Sequence, residues 1–380
     1  MLDLNKIREN IDETDKAIVE LFEKRMKLCE EVAEFKIETG KQVLDTTREK
    51  QKIEKVTELA HGDFNKRSVE ELFRQIMAMS RKMQYQILER YGVDNPANDV
   101  ISFAGVEDIK RDGVKVVYQG LEGAYAHDAV CQYFGEDADM YHVDSWRDAM
   151  DDVRDGRADY AVLPIDNSTA GMVSQVYDLL VEYDNYIVAE TFVKVEHALL
   201  GTPDAIIDDI QVVYSHPQSL MQSAKFLEEH REWQQMSLSN NAVSAKKVAD
   251  DGDKTHAAIA SVRAGKLYGL KVLKEKVNYS DVNTTRFVIV AKDKIHKQGA
   301  GKVSICVELA HESGSLYNIL SHIIFNDLNM TKIESRPIED RKWEYRFFID
   351  FEGSLDDAAV RNTLKGMAAE ALSLKVLGNY

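Results

Sequence analysis

The run Asn283-Thr284-Thr285-Arg286-Phe287-Val288-Ile289-Val290 sets two hydroxyls and a guanidinium at the mouth of an apolar, β-branched stretch. The stretch from Phe287 reads as a buried strand. The polar residues before it fall at the strand's end, where open α/β folds bind ligands. Arg286 offers a planar fork that matches a carboxylate, and the threonines offer hydroxyls that donate or accept. A structural turn closed by Thr and Arg fits the same residues, so the surrounding chain has to decide between the two.

On either side, short apolar runs alternate with helical patterns: Val114 to Tyr118, Tyr160 to Leu163, Tyr186 to Phe192, Val212 to Tyr214 and Ala257 to Ala260. This alternation over residues 113–293 predicts an α/β domain. Several runs end in polar clusters: Gly120-Leu121-Glu122-Gly123-Ala124-Tyr125-Ala126-His127, Pro164-Ile165-Asp166-Asn167-Ser168-Thr169 and Ser215-His216-Pro217-Gln218. With the Asn283 stretch they make four, which predicts a cleft between two lobes. His127 and His216 have the chemistry for proton transfer, and equally for a satisfied structural role.

Together these clusters resemble prephenate dehydratase, most strongly at Thr285-Arg286-Phe287, with support from Pro164 to Val173 and Ser215 to Gln218. The resemblance implies a pair of α/β lobes similar to periplasmic binding proteins. It makes Thr285 and Arg286 central and places Asn167, Ser168, Gln218, Thr284 and Phe287 around the cleft. Prephenate loses its ring carboxylate and ring hydroxyl, driven by aromatisation. Thr285 is then expected to hydrogen-bond the departing hydroxyl and Arg286 to anchor a carboxylate. Three positions depart from the family pattern: Asp166 stands where Glu is usual, Leu121-Glu122 replaces a Pro-containing turn, and Ala126 takes a position that often bears a hydroxyl.

Residues 1–92 have a different periodicity. Ile7, Ile11, Ile18, Leu21, Phe22, Leu28, Val32 and Phe35 keep helical spacing until Gly40. Thr46 with Glu49, and Ser68 with Glu71, read as N-terminal capping patterns for a second and a third helix, the third running to Gly92. So little core per chain predicts an intertwined helical homodimer or higher homo-oligomer. Polar residues lie on these apolar stripes. Arg25 and Lys36 share a face of the first helix, and Ser80 and Gln84 sit one turn apart on the third. Arg8 lies about 25 Å from Arg25 along a straight helix, so a shared site needs Arg8 from a partner chain. Snorkelling cations and a satisfied amide account for each residue singly. Jointly, they describe a desolvated pocket for a small polyanion.

The set Ile7-Arg8-Glu9-Asn10-Ile11, Asp15, Arg25, Lys36, Asp45-Thr46-Thr47-Arg48-Glu49, Ser80 and Gln84 resembles the all-helical chorismate mutase family. The resemblance implies that Arg8 of one chain joins Arg25, Lys36, Asp45, Arg48, Glu49, Ser80 and Gln84 of the other. Two arginines would clamp the carboxylates of chorismate, and Lys36 with Gln84 would face the ether oxygen whose bond breaks. The rearrangement is pericyclic, so a held conformer and stabilised charge suffice, and no cofactor or metal is expected.

Residues 93–112 show no clear periodicity and read as a linker around Asn95-Pro96. After Gly301 the order is strand, helix, strand, strand, helix, strand, a ferredoxin-like α+β sandwich over residues 300–380. It resembles the ACT regulatory domain through Gly314-Ser315-Leu316 and Glu334-Ser335-Arg336-Pro337. That resemblance implies phenylalanine bound at these residues.

Composition bounds the alternatives. A chain of 380 residues exceeds one ordinary core. A net charge of −17 argues against a partner bound through nucleic-acid phosphates. Residues 1–92 hold 18 Lys and Arg against 19 Asp and Glu, so the acidity lies elsewhere and this segment can hold an anion. Cys29, Cys131 and Cys306 lack metal-ligand spacing, and no run of about 18 apolar residues occurs, which predicts a reduced cytoplasmic protein with no membrane partner. The order of three resembling segments implies a bifunctional mutase and dehydratase of phenylalanine synthesis, inhibited by phenylalanine. A non-catalytic amino-acid sensor with a binding-protein-like cleft is the alternative. A mutase fused to a dehydrogenase needs a dinucleotide-binding Gly-x-Gly-x-x-Gly, which does not occur.

Overall fold

The computed structural model describes residues 3–93, 97–338, 341 and 343–380. The chain forms two compact units: Met1–Ser102 with Lys302–Val376, and Phe103–Gly301 with Leu377–Tyr380. No described helix is long and apolar enough to cross a membrane.

The first unit opens with α1 (Leu4–Thr39), capped by the Asp3 carboxylate and ended by Gly40 in the left-handed region at φ 66°. The second helix, α2 (Thr46–Glu58), is capped by Asp45, whose side chain accepts from Arg48 N–H at 2.9 Å. This corrects the capping box expected from Thr46 and Glu49: the carboxylate one residue earlier takes the cap, and Glu49 is drawn to an arginine described below. The third helix, α3 (Asp63–Arg90), begins five residues before Ser68. Ser68 is not its cap, because its hydroxyl bonds back to Phe64 C=O within the helix at 2.9 Å. Ala33 is the buried residue of α1, while Ile11, Ile18, Leu28 and Phe35 are each more than half exposed.

The expected linker carries structure: α4 (Ala97–Ile101) and a strand, Ala104–Val106. Asn95 and Pro96 lie outside the described residues. After Gly301 the chain follows the anticipated order, with strands Lys302–Glu308, Met330–Pro337, Tyr345–Glu352 and Ser373–Asn379 and helices Ser315–Phe325 and Ala358–Glu370. Glu334 to Pro337 belong to a strand that pairs with Tyr345–Glu352. Both α3 and α4 pack on the Ala358–Glu370 helix.

In the second unit, one lobe carries a sheet in the order Tyr186–Lys194, Thr284–Ala291, Tyr160–Asn167, Lys115–Gln119, Asp139–Val143. The other lobe orders Lys271–Lys274, Ala198–Gly201, His256–Ala260, Val212–Ser215, Gln234–Ser237. Thr284–Ala291 is antiparallel to both its neighbours, which buries everything from Arg286 to Ala291. The strand therefore starts at Thr284, three residues earlier than the apolar run implied. Thr285 and Arg286 become strand residues that turn to opposite faces.

Candidate active sites

In the first unit, helix packing brings four of the predicted residues together. Arg25 Nη1 donates to Ser80 Oγ at 2.5 Å, and Lys36 Nζ donates to Gln84 Oε1 at 3.0 Å and to Val43 C=O at 2.7 Å. Ser80 and Gln84 are buried, and Gln84 Nε2 donates to Ser80 C=O at 3.2 Å. Burial lowers the Lys36 pKa, opposed by the nearby carboxylates of Asp45 and Glu49. Two of the three ammonium hydrogens are committed to protein acceptors, which leaves one for a ligand. Asp45 and Arg48 are exposed at the start of α2, and Arg8 is exposed near the start of α1. Sequence reasoning missed Arg81. It is buried beside Ser80 and binds Glu49 through Nη1 at 2.6 and 2.7 Å.

In the second unit the site forms where the lobes meet. Asn167 pairs in register with Thr285, and its Nδ2 donates to Thr285 Oγ1 at 2.8 Å and to Asn283 Oδ1 at 2.9 Å. The Asn167 Oδ1 accepts from Thr169 Oγ1 at 2.7 Å, and Thr169 Oγ1 accepts from Gln222 Nε2 at 2.8 Å. Gln222 Oε1 lies 2.9 Å from His197 Nε2, and His197 Nδ1 lies 2.9 Å from Tyr125 Oη. The polarity of this path follows from its amides. An amide N–H can only donate, so Thr285 Oγ1 receives a hydrogen bond from Asn167 and keeps its own proton for another acceptor. Burial lowers the His197 pKa, opposed by its hydrogen bond with Gln222.

Several predicted residues take other roles. Arg286 lies on the face opposite Thr285. Its Nε is 2.7 Å from Glu190 Oε2, its Nη1 is 3.2 Å from Asp166 Oδ2, and its Nη2 donates to Tyr380 Oη at 2.6 Å. Two protein carboxylates and the Tyr380 hydroxyl thus engage its guanidinium. Phe287 is 2% exposed and packs in the lobe core with Val116, Val162 and Ile289. Ser168 is a clasp: its hydroxyl accepts from Thr284 N–H and donates to Val282 C=O, both at 3.0 Å. Thr284 Oγ1 is 3.4 Å from that same carbonyl. The Gln218 backbone N–H donates to His216 Nδ1 at 3.3 Å, which makes His216 a helix cap. Gln222, one turn further along, supplies the side chain that joins the Asn167 path. His127 Nδ1 accepts from Gly123 N–H at 3.2 Å in the loop between the lobes, and burial lowers its pKa.

These features define a class: an enzyme with a helical unit that presents cations and amides to a polyanion, and a two-lobed α/β unit that presents a threonine proton in a cleft. Residues 7–85 match the family chorismate mutase type II, and residues 116–295 match prephenate dehydratase. A bifunctional chorismate mutase/prephenate dehydratase from Stutzerimonas stutzeri is 30% identical over 99% of this chain and 97% of its own length. Among solved structures, prephenate dehydratase from Arthrobacter aurescens in complex with L-Phe is 28% identical, with a TM-score of 0.65 over 70% of this chain and 89% of that one. A protein described as a novel type of quorum-quenching acylase is also 28% identical, with a TM-score of 0.64 over 70% of this chain and 96% of that one. The chain belongs to the bifunctional chorismate mutase/prephenate dehydratase family. It converts chorismate to prephenate and prephenate to phenylpyruvate, on the route to phenylalanine.

Proposed function

We propose that the two reactions run at separate sites, and that the Asn167-to-Thr285 hydrogen bond carries the assignment of the second. At the helical site, Arg25 and Arg48 of one protomer and Arg8 of its partner hold the two carboxylates of chorismate. Lys36, through its uncommitted N–H, and Gln84 stabilise the negative charge that develops on the ether oxygen. Glu49 accepts a substrate hydroxyl, since each of its oxygens keeps a lone pair beside Arg81. The exposed apolar stripe of α1 supports a homodimer, because an unpartnered stripe of this length is costly in water. Co-expression tests this arrangement. Arg8→Ala and Lys36→Ala are each expected to abolish mutase turnover alone, and mixed dimers of the two to regain part of it. No recovery in purified mixed dimers would place Arg8 outside the partner's site.

At the second site, Thr285 donates its free proton toward the hydroxyl that leaves prephenate. Asn167, Thr169 and Gln222 keep that proton pointed outward by fixing which atoms accept. Thr is a weak acid, so its role is to polarise and orient rather than to transfer a full proton.

The βαββαβ module is read as an ACT domain that binds phenylalanine at the start of the Ser315–Phe325 helix. Gly314 there is left-handed at φ 85° and provides no side-chain cap, so the first-turn N–H groups suit a carboxylate. Leu316 and Ser315 follow in that turn, and Glu334, Ser335, Arg336 and Pro337 of a partner module would close the pocket. Gly314→Val, which strains the left-handed position, should leave the uninhibited dehydratase active and remove its response to phenylalanine. Inhibition as strong as in the parent would move the effector site elsewhere.

A further inference from the structure

Arg81 is 6% exposed and joins two segments of the first unit. Its Nη1 holds Glu49 of α2, and its Nε lies 2.7 Å from Glu370 Oε1, at the last residue of the Ala358–Glu370 helix. His322 Nε2 lies 3.4 Å from the same Glu370 oxygen. A carboxylate at a helix C-terminus is disfavoured by the helix dipole. Burial also works against its charge, yet His322 and Arg81 outweigh this and bring the Glu370 pKa down to about 2. Next along α3, Lys82 Nζ donates to Ser321 C=O at 2.8 Å and to Ser321 Oγ at 2.9 Å, which fixes α3 against the Ser315–Phe325 helix. The cluster borders a cavity of about 730 Å³ whose walls include Glu49, Met77, Arg81, Ser315 and Glu370.

A buried charge network is a poor way to glue two segments, since apolar residues of similar volume do so at least as well. What it does supply is direction. Arg81 is flanked on α3 by Ser80 and, one turn on, by Gln84. It is held on one edge by Glu370 and presents the other to Glu49. We propose that Glu370 is a positioning residue of the mutase site, acting through Arg81 to orient the Glu49 carboxylate. The C-terminal module is thus a structural part of the mutase. This rests on the reading of α1 to α3 as the chorismate site.

The test uses the full chain, assayed without phenylalanine on chorismate and separately on prephenate. Glu370→Gln is expected to lower mutase kcat by roughly tenfold or more, because a misplacement of about 1 Å at a contact group costs that order of rate. Dehydratase kcat on prephenate should stay within about twofold. Glu370→Asp, which keeps the charge but shortens the reach, should fall between the two. The deciding readout is a double-mutant cycle: in a Glu49→Gln background, Glu370→Gln should cost little more. An unchanged mutase kcat in folded Glu370→Gln overturns the proposal. So does a loss that adds in full to that of Glu49→Gln, or an equal loss of both activities. If Glu370→Gln does not fold, the same cycle with Glu370→Asp decides. Absence of mutase turnover in the parent enzyme would instead overturn the reading of the helical site.

Discussion

Thr285→Val is expected to lower phenylpyruvate formation from supplied prephenate by roughly 10²–10³-fold, the scale of losing one preorganised donor in a catalytic site. Chorismate consumption should continue at the parent rate. Valine keeps the branched shape and suits a central strand, so Phe287 and the lobe core beneath need not move. What it removes is the hydroxyl proton that Thr285 keeps for another acceptor while Asn167 donates to its oxygen. Asn167 Nδ2 still has Asn283 Oδ1 at 2.9 Å, so the fold loses one hydrogen bond, about 1 kcal/mol. Steady-state rates and a thermal melt on the same sample separate the two effects. A folded variant with the parent dehydratase rate would remove Thr285 from the mechanism.

Lys36→Ala should show the converse, with mutase turnover down by roughly 10²–10³-fold or more and dehydratase activity on prephenate preserved. In the proposed site the charge on the breaking ether oxygen has Lys36 as its principal partner, and alanine leaves Gln84 Oε1 without its donor. The pH dependence carries a sign. Burial lowers the Lys36 pKa from 10.5, so the ammonium is lost at a lower pH than in a free lysine. Mutase kcat should therefore decline on the alkaline side before 10.5, while the dehydratase rate does not follow that limb. A mutase rate flat through that range would mean that Lys36 acts only by filling space.

The parts of the fold that were legible in the sequence are those with a strong period. Helix α1 announced itself through apolar spacing and Gly40, and the C-terminal order of strands and helices through clean alternation. Strands such as Ala198–Gly201 and Gln234–Ser237 did not, because the first is four small or apolar residues buried on both faces and the second is exposed throughout. The site was half legible. Arg25, Lys36, Ser80 and Gln84 lay on apolar stripes where a charge or amide is conspicuous. The partners of Arg286 were not legible, because residue type says nothing of which strand face it occupies, and one residue's shift from Thr285 sends it toward Asp166 and Glu190. Gln218 drew attention through its Ser-His-Pro-Gln motif, whereas the residue in the path is Gln222, four positions and one helical turn later. His197, Arg81 and Glu370 act through contacts between segments far apart in the chain, so local pattern could not signal them.

The two proposed sites sit on one chain and act independently and in sequence. The direct measurement is to give chorismate, with no added cofactor, to purified parent enzyme and to Thr285→Val, and to follow chorismate, prephenate and phenylpyruvate together. Parent enzyme should pass chorismate through to phenylpyruvate, and Thr285→Val should halt at prephenate in an amount equal to the chorismate consumed. Failure of the parent to consume chorismate, or a Thr285→Val variant that loses both steps while folded, would rule out two independent sites.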